Sequence, residues 1–186
     1  MAFFTRSFPV PCYTRRIIET LDDFNDSIAM GVSDIFIGGP LGSYLPELHL
    51  KAKAAKCKIR TFCNYAFVSS IFDNPLKSFF IRPEDIDLYA EYIDIFEIAK
   101  SESLSDVIIN TYYEIYTKDK VWHGPLDEII LNYPGTEDNR IILPFFAERK
   151  IKCKKRCSYQ VHNICQFCDS ITDFGQTLTK NNLTLE

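Results

Sequence analysis

Glycine, histidine, methionine and tryptophan are all scarce in this 186-residue chain, which has 7 Gly, 3 His, 2 Met and 1 Trp. So little glycine excludes a collagen-like or low-complexity protein. The three histidines, His49, His123 and His162, leave histidine-based acid–base chemistry thinly supplied. No uncharged apolar stretch reaches the roughly 18 residues that a membrane span requires, because Asp, Arg or Pro interrupts every run. Met1 to Pro9 contains one Arg and no apolar block leading to a small-residue cleavage site. That is not the pattern of a secretory signal, and it predicts a cytoplasmic protein with no membrane partner. A P-loop, a dinucleotide fingerprint, H-E-x-x-H and a nucleophile elbow are also missing, and Gly38-Gly39-Pro40-Leu41-Gly42 lacks the spacing of a phosphate loop.

What is present fits one ordinary globular domain: 46% hydrophobic residues, 25% charged residues and a formal charge of −4. Ile17, Ile18, Leu21, Phe24 and Ile28 recur at helical spacing up to Gly31, a residue suited to end a helix in left-handed geometry. Residues 34–37 read as a buried strand ending in the Gly38 to Gly42 break. A helix over Leu45 to Lys56 and an alternating strand over Cys57 to Cys63 follow. Phe79 to Ile81 is a further strand candidate. Pro83-Glu84-Asp85 starts a helix with proline in its first turn and carboxylates at the positive end of its dipole, and Ile93 to Ile98 reads as a strand. From Ser103 a long helix carries Leu104, Val107, Ile108, Tyr112, Ile115 and Tyr116 on one side. A shorter helix is expected from Pro125, a surface loop over Tyr133 to Asn139, and an apolar segment over Ile141 to Phe146. Strands alternating with helices predict βαβ units, a mostly parallel sheet and right-handed crossovers, hence an α/β fold.

The most specific pattern lies near the C-terminal end, where Cys153, Cys157, Cys165 and Cys168 have the form C-x3-C-x7-C-x2-C. Each close pair brings two thiolates to one ion, and two pairs complete a tetrahedral sulfur shell. Such a shell suits structural Zn2+, the expected ion; it also suits a [4Fe-4S] cluster, the alternative, and spacing alone does not separate the two. His162 is an alternative ligand, and the plainer alternatives are free thiols or disulfides. Seven cysteines, an odd number, in a reducing compartment favour free or metal-bound thiols. Cys12, Cys57 and Cys63 read as small buried residues. Around the cluster stand Arg149, Lys150, Lys152, Lys154, Lys155 and Arg156, six cations in eight positions. Segment 149–156 would stabilise thiolates, and it is the candidate surface for a protein or nucleic-acid partner.

Eight carboxylates fall between Glu84 and Asp106 against a single cation, Lys100. Most of them read as a solvated helix face. The informative positions follow strand ends, because parallel α/β sheets bind ligands beyond the carboxyl ends of their strands. Asn64, Arg82, Glu84 and Glu97 occupy these positions and are the candidate catalytic residues. Arg82 would clamp an anion, Glu84 would act as acid or base, and an inward Glu97 would titrate high if buried. The competing reading of Arg82 and Glu84 is an ion pair that fastens a loop to the sheet.

Gly31-Val-Ser-Asp34, the strand that follows, Gly38-Gly39 and the later strand ending in Asn64 resemble the opening of barrel proteins of the peptidase U32 type, and the downstream cysteine set adds to the likeness. The resemblance covers about a third of the chain. It implies a (β/α) barrel, with an iron–sulfur cluster on four cysteines in several members and roles in peptide cleavage or in RNA or quinone hydroxylation. The family's Glu-x-Phe-x-x-Gly signature is absent, and 186 residues fall short of the roughly 250 of a full barrel. The expected architecture is therefore a partial or small TIM-barrel-like parallel sheet over 1–148, a four-cysteine metal knuckle over 149–175 and a flexible tail over 176–186. The expected function is that of a metal-stabilised binding or adaptor protein, the alternative being a U32-like iron–sulfur enzyme.

Overall fold

The computed structural model of the chain describes residues 16–66, 78–99, 105–118, 120–133, 135, 138–141, 147 and 151. Helix α1 (Leu21–Met30) begins where Thr20 accepts a hydrogen bond from the Asp23 amide, and it ends at Gly31 with φ 73°. The Gly31 amide returns to the Ile28 carbonyl, as the sequence predicts for a left-handed stop. Ile17 and Ile18 do not extend this helix. Ile18 forms a parallel bridge with Ile37, its amide donating to the Phe36 carbonyl at 2.7 Å, so the apolar pair serves the sheet instead.

Strand β1 (Asp34–Phe36) leads into a 3-10 turn, Gly39–Tyr44, which runs directly into helix α2 (Leu45–Ala54). Gly42 sits in that turn because Phe79 lies against it: a Cβ there would stand 2.5 Å from the ring's Cγ. Strand β2 (Lys58–Phe62) follows, then a 3-10 turn at Pro83–Asp85, a single-turn helix α3 (Ile86–Tyr89) and strand β3 (Ile95–Glu97). The three strands pair in parallel in the order β1-β2-β3, with Asp34 beside Lys58 and Arg60 beside Ile95. Each strand thus lies next to its predecessor, and a helix spans each crossover. The protein is α/β with a parallel sheet, and no helix among the described residues is long and apolar enough to cross a membrane.

Helix α4 (Ser105–Thr117) buries Ile108, Tyr112 and Ile115, a narrow stripe at spacings of four and three. Val107 and Tyr116, expected on the same side, are exposed. The helix expected from Pro125 is a single 3-10 turn, Leu126–Glu128. Beyond it the backbone turns off at Asn132, whose φ is 57°, after Leu131 has bridged in parallel to Tyr65. Pairing of Leu131 with the end of β2 takes the backbone groups that a longer helix would need. The Tyr133 to Asn139 stretch is not wholly a surface loop, since Tyr133 and Asn139 are both buried. Phe79 to Ile81 forms no named strand, although the Ile81 amide donates to the Cys63 carbonyl at 2.9 Å.

The core joins one face of the sheet to the helices. Ile35, Ile37, Ile59 and Cys63 pack with Leu41, Leu45 and Leu48, and the cluster reaches as far as Ala147 and Ile151. Cys153, Cys157, Cys165, Cys168, the cations flanking them, His162, Cys12 and the segment beyond 175 lie outside the described residues.

Candidate functional site

The strand ends carry two polar assemblies, and neither is the open cluster that the sequence suggests. In the first, Arg60 projects from the middle of β2 on the face opposite the core, where alternation along the strand leaves Lys58, Arg60 and Phe62 partly or fully exposed. Its Nε lies 3.1 Å from Asp34 Oδ1 on β1, and its Nη1 donates to Glu97 Oε1 on β3 at 3.0 Å. The guanidinium sits 5.0 Å from the centre of the Phe36 ring, which in turn meets Phe62 edge-on at 4.7 Å. One cation thereby crosslinks all three strands. Glu97 is one-third exposed and already paired, so it is not a carboxyl isolated in an apolar pocket.

The second assembly lies where the chain enters α3. Arg82 is 2% exposed, and its fork grips Asp85: Nε donates to Oδ2 at 2.5 Å and Nη2 to Oδ1 at 2.9 Å. Its Nη1 donates to Asn139 Oδ1 at 3.1 Å and lies 3.5 Å from Glu84 Oε1. Asn139 completes the set, with its Nδ2 donating to Glu84 Oε1 at 2.5 Å and to the Trp122 carbonyl at 2.9 Å. Two of the sequence-predicted residues, Arg82 and Glu84, are brought together here. The acidic run is thus split by burial: Asp87 and Glu91 face solvent, while Asp85 is enclosed. Burial raises the Asp85 carboxyl above its ordinary range, more strongly than the adjacent Arg82 lowers it.

Asn64 belongs to neither assembly. It is fully buried and clasps the backbone of Ala99, accepting from its amide at 2.7 Å and donating to its carbonyl at 3.1 Å. Both ends of the side chain are thereby used to continue the β2–β3 pairing past the last ladder bond. Arg60, Asp34, Asp85 and Asn139 are polar residues central to these assemblies that sequence reasoning missed. The alternation of β2 was a usable signal for Arg60, and the i,i+3 spacing from Arg82 was one for Asp85. Nothing local marks Asn139, which lies 57 positions from Arg82.

Among the described residues, no group of three or more His, Cys, Asp and Glu side chains is placed to hold a metal ion. Cys57 and Cys63 are buried, and burial pushes their thiols up to about 11 and about 12 respectively. Both stay protonated at neutral pH and are poor nucleophiles or ligands. No family model, curated protein or solved structure matches the chain.

Proposed function

We propose that the chain is a metal-stabilised binding or adaptor protein of the cytoplasm. In this reading a sector of a small (β/α) barrel carries a zinc knuckle formed by Cys153, Cys157, Cys165 and Cys168. The cations of segment 149–156 engage the anionic surface of a protein or nucleic-acid partner. The observation that carries the reading is that three of the four candidate catalytic residues, Asn64, Glu97 and Arg82, are engaged within the fold. Asn64 is bonded to Ala99, Glu97 to Arg60, and Arg82 to Asp85 and Asn139. A catalytic group must present a free lone pair or proton to substrate, and these present them to their own backbone and neighbours. The sequential parallel order β1-β2-β3 is what a barrel sector requires, and one half of a doubly wound sheet has it too. For the metal the support is the donor set itself. Four thiolates in two close pairs supply the tetrahedral sulfur shell that zinc takes in closed structural sites.

Metal analysis by native mass spectrometry, with an absorption spectrum, tests the proposal. A colourless protein with one zinc per chain supports it, and Cys157→Ser should then lose the ion and melt at a lower temperature. A brown, oxygen-sensitive protein absorbing at about 400 nm would overturn it in favour of an iron–sulfur enzyme of the kind the peptidase U32 resemblance implies.

A further inference from the structure

The two edges of the sheet are finished differently. On the β1 side the Ile18 amide donates to the Phe36 carbonyl and the Gly38 amide donates to the Ile18 carbonyl, each at 2.7 Å, so that edge is covered. On the β3 side, pairing with β2 uses alternate residues. The Glu97 carbonyl accepts from the Cys63 amide at 2.9 Å, and the Ala99 amide and carbonyl are held by Asn64. Alternate residues of a strand turn their backbone groups to opposite sides, so Phe96 and Ile98 direct theirs outward. Among the described residues, none bonds to the amide or carbonyl of either. Both residues are partly exposed, and their side chains lie against the core. An open apolar edge of this kind is a template for another strand.

The charge beside this edge says which strand it suits. Glu91 to Ala99 contains the carboxylates Glu91, Asp94 and Glu97 and no cation. Glu91 and Asp94 are exposed, and Glu97, on the sheet face opposite Phe96, remains one-third exposed beside Arg60. A second copy brought edge to edge would gather the same carboxylates across the junction, which is destabilising. A chain with basic residues on the Glu97 face and apolar residues on the Phe96 and Ile98 face matches both. We propose that β3 is a docking edge for an extended, alternately apolar and basic segment of a partner protein, added beside Phe96 and Ile98 as a further strand. Each of the two residues supplies one donor and one acceptor, which hold the backbone of the incoming segment. Its alternate side chains supply the selectivity. The proposal goes beyond the adaptor reading and holds whether or not the cysteines bind metal.

Amide hydrogen exchange on the full chain, with and without a short peptide of alternating valine and lysine, tests the edge. Without peptide, the Phe96 and Ile98 amides should exchange near their intrinsic rates at every protein concentration. The Ile37 and Cys63 amides, each bonded at 2.9 Å inside the sheet, are the protected references. Peptide at about ten times its Kd should slow exchange at Phe96 and Ile98 about tenfold. N-methylation of one alternate set of peptide amides should abolish that protection, and methylation of the other set should leave it. Glutamate in place of lysine should weaken binding at least about tenfold. Protection of Phe96 and Ile98 without peptide would overturn the proposal. It would name a segment of this chain as the occupant if independent of protein concentration, and a second copy if it rose with concentration. An edge still unprotected at millimolar peptide, an equal loss with both methylated peptides, or equal binding of the glutamate peptide would overturn it too. All of these measurements use the wild-type chain, so none depends on a variant that folds.

Discussion

Replacing Asn64 by alanine removes an amide that is fully buried and doubly bonded to Ala99. The variant leaves the Ala99 amide and carbonyl enclosed with no partner from residue 64. At about 1–3 kcal/mol for each of the two orphaned groups, the loss is about 2–6 kcal/mol, a large share of the roughly 5–15 kcal/mol that holds a typical domain together. Urea unfolding followed by circular dichroism measures it directly, as a shift in midpoint at constant slope. Asn64→Asp sharpens the test. One carboxylate oxygen keeps the bond from the Ala99 amide, and the other meets the Ala99 carbonyl where an N–H group stood. A protonated carboxyl restores the donor, and an ionised one is repelled. The buried Asp therefore holds a proton that the unfolded chain has released above about pH 4, and the deficit against wild type should widen as pH rises from there. A loss below about 1 kcal/mol in Asn64→Ala, within the range of an ordinary surface change, would refute the view that Asn64 serves the sheet. So would a deficit in Asn64→Asp that does not change with pH.

Two backbone positions give further tests. Gly42→Ala would set a Cβ against Cδ2 and 2.5 Å from Cγ of Phe79, a ring that is itself buried and packed edge-on to Tyr89. The ring cannot step aside freely, so a loss of about 1–3 kcal/mol is expected, read as a lower thermal midpoint; an unchanged midpoint would show that the turn gives way instead. Lys56 is exposed at φ 55°, just past the end of α2, where the Cys57 amide reaches back to the Ala52 carbonyl at 2.9 Å. Lys56→Gly relieves left-handed strain there and should raise stability by about 0.5–1 kcal/mol in the same unfolding assay, and a decrease would contradict that account.

Elements whose signals are local were legible in the sequence. The Gly31 stop, the alternation of β2 and the proline-led start before α3 each depend on a few adjacent residues, and each is where the pattern places it. The failures fall where tertiary pairing competes with a local preference. Ile17 and Ile18 fit a helix stripe, yet Ile18 completes a strand edge beside Ile37. The apolar run after Pro125 suits a helix, yet Leu131 is taken by Tyr65 and the end of β2. The candidate site shows the same division. Arg82 beside Glu84 is visible as a charged pair and the two do lie 3.5 Å apart, but Arg82 also bonds Asp85 and the distant Asn139, and only folding brings Asn139 there.

Short strands explain why so many polar side chains near the strand ends are engaged. β1 and β3 have three residues each, so the backbone ladder supplies few bonds between neighbours. Side chains carry the pairing further. Thr61 Oγ1 donates to the Ile37 carbonyl at 3.0 Å, Asn64 clasps Ala99, the Asp94 carboxylate accepts from the Ile59 amide at 2.8 Å, and Arg60 spans all three strands. Each of these buried or half-buried polar groups needs a partner, and each provides one that a longer ladder would have supplied. Substitution of Asn64 or Glu97 would therefore read out folding, because both of these sequence-marked groups join the strands.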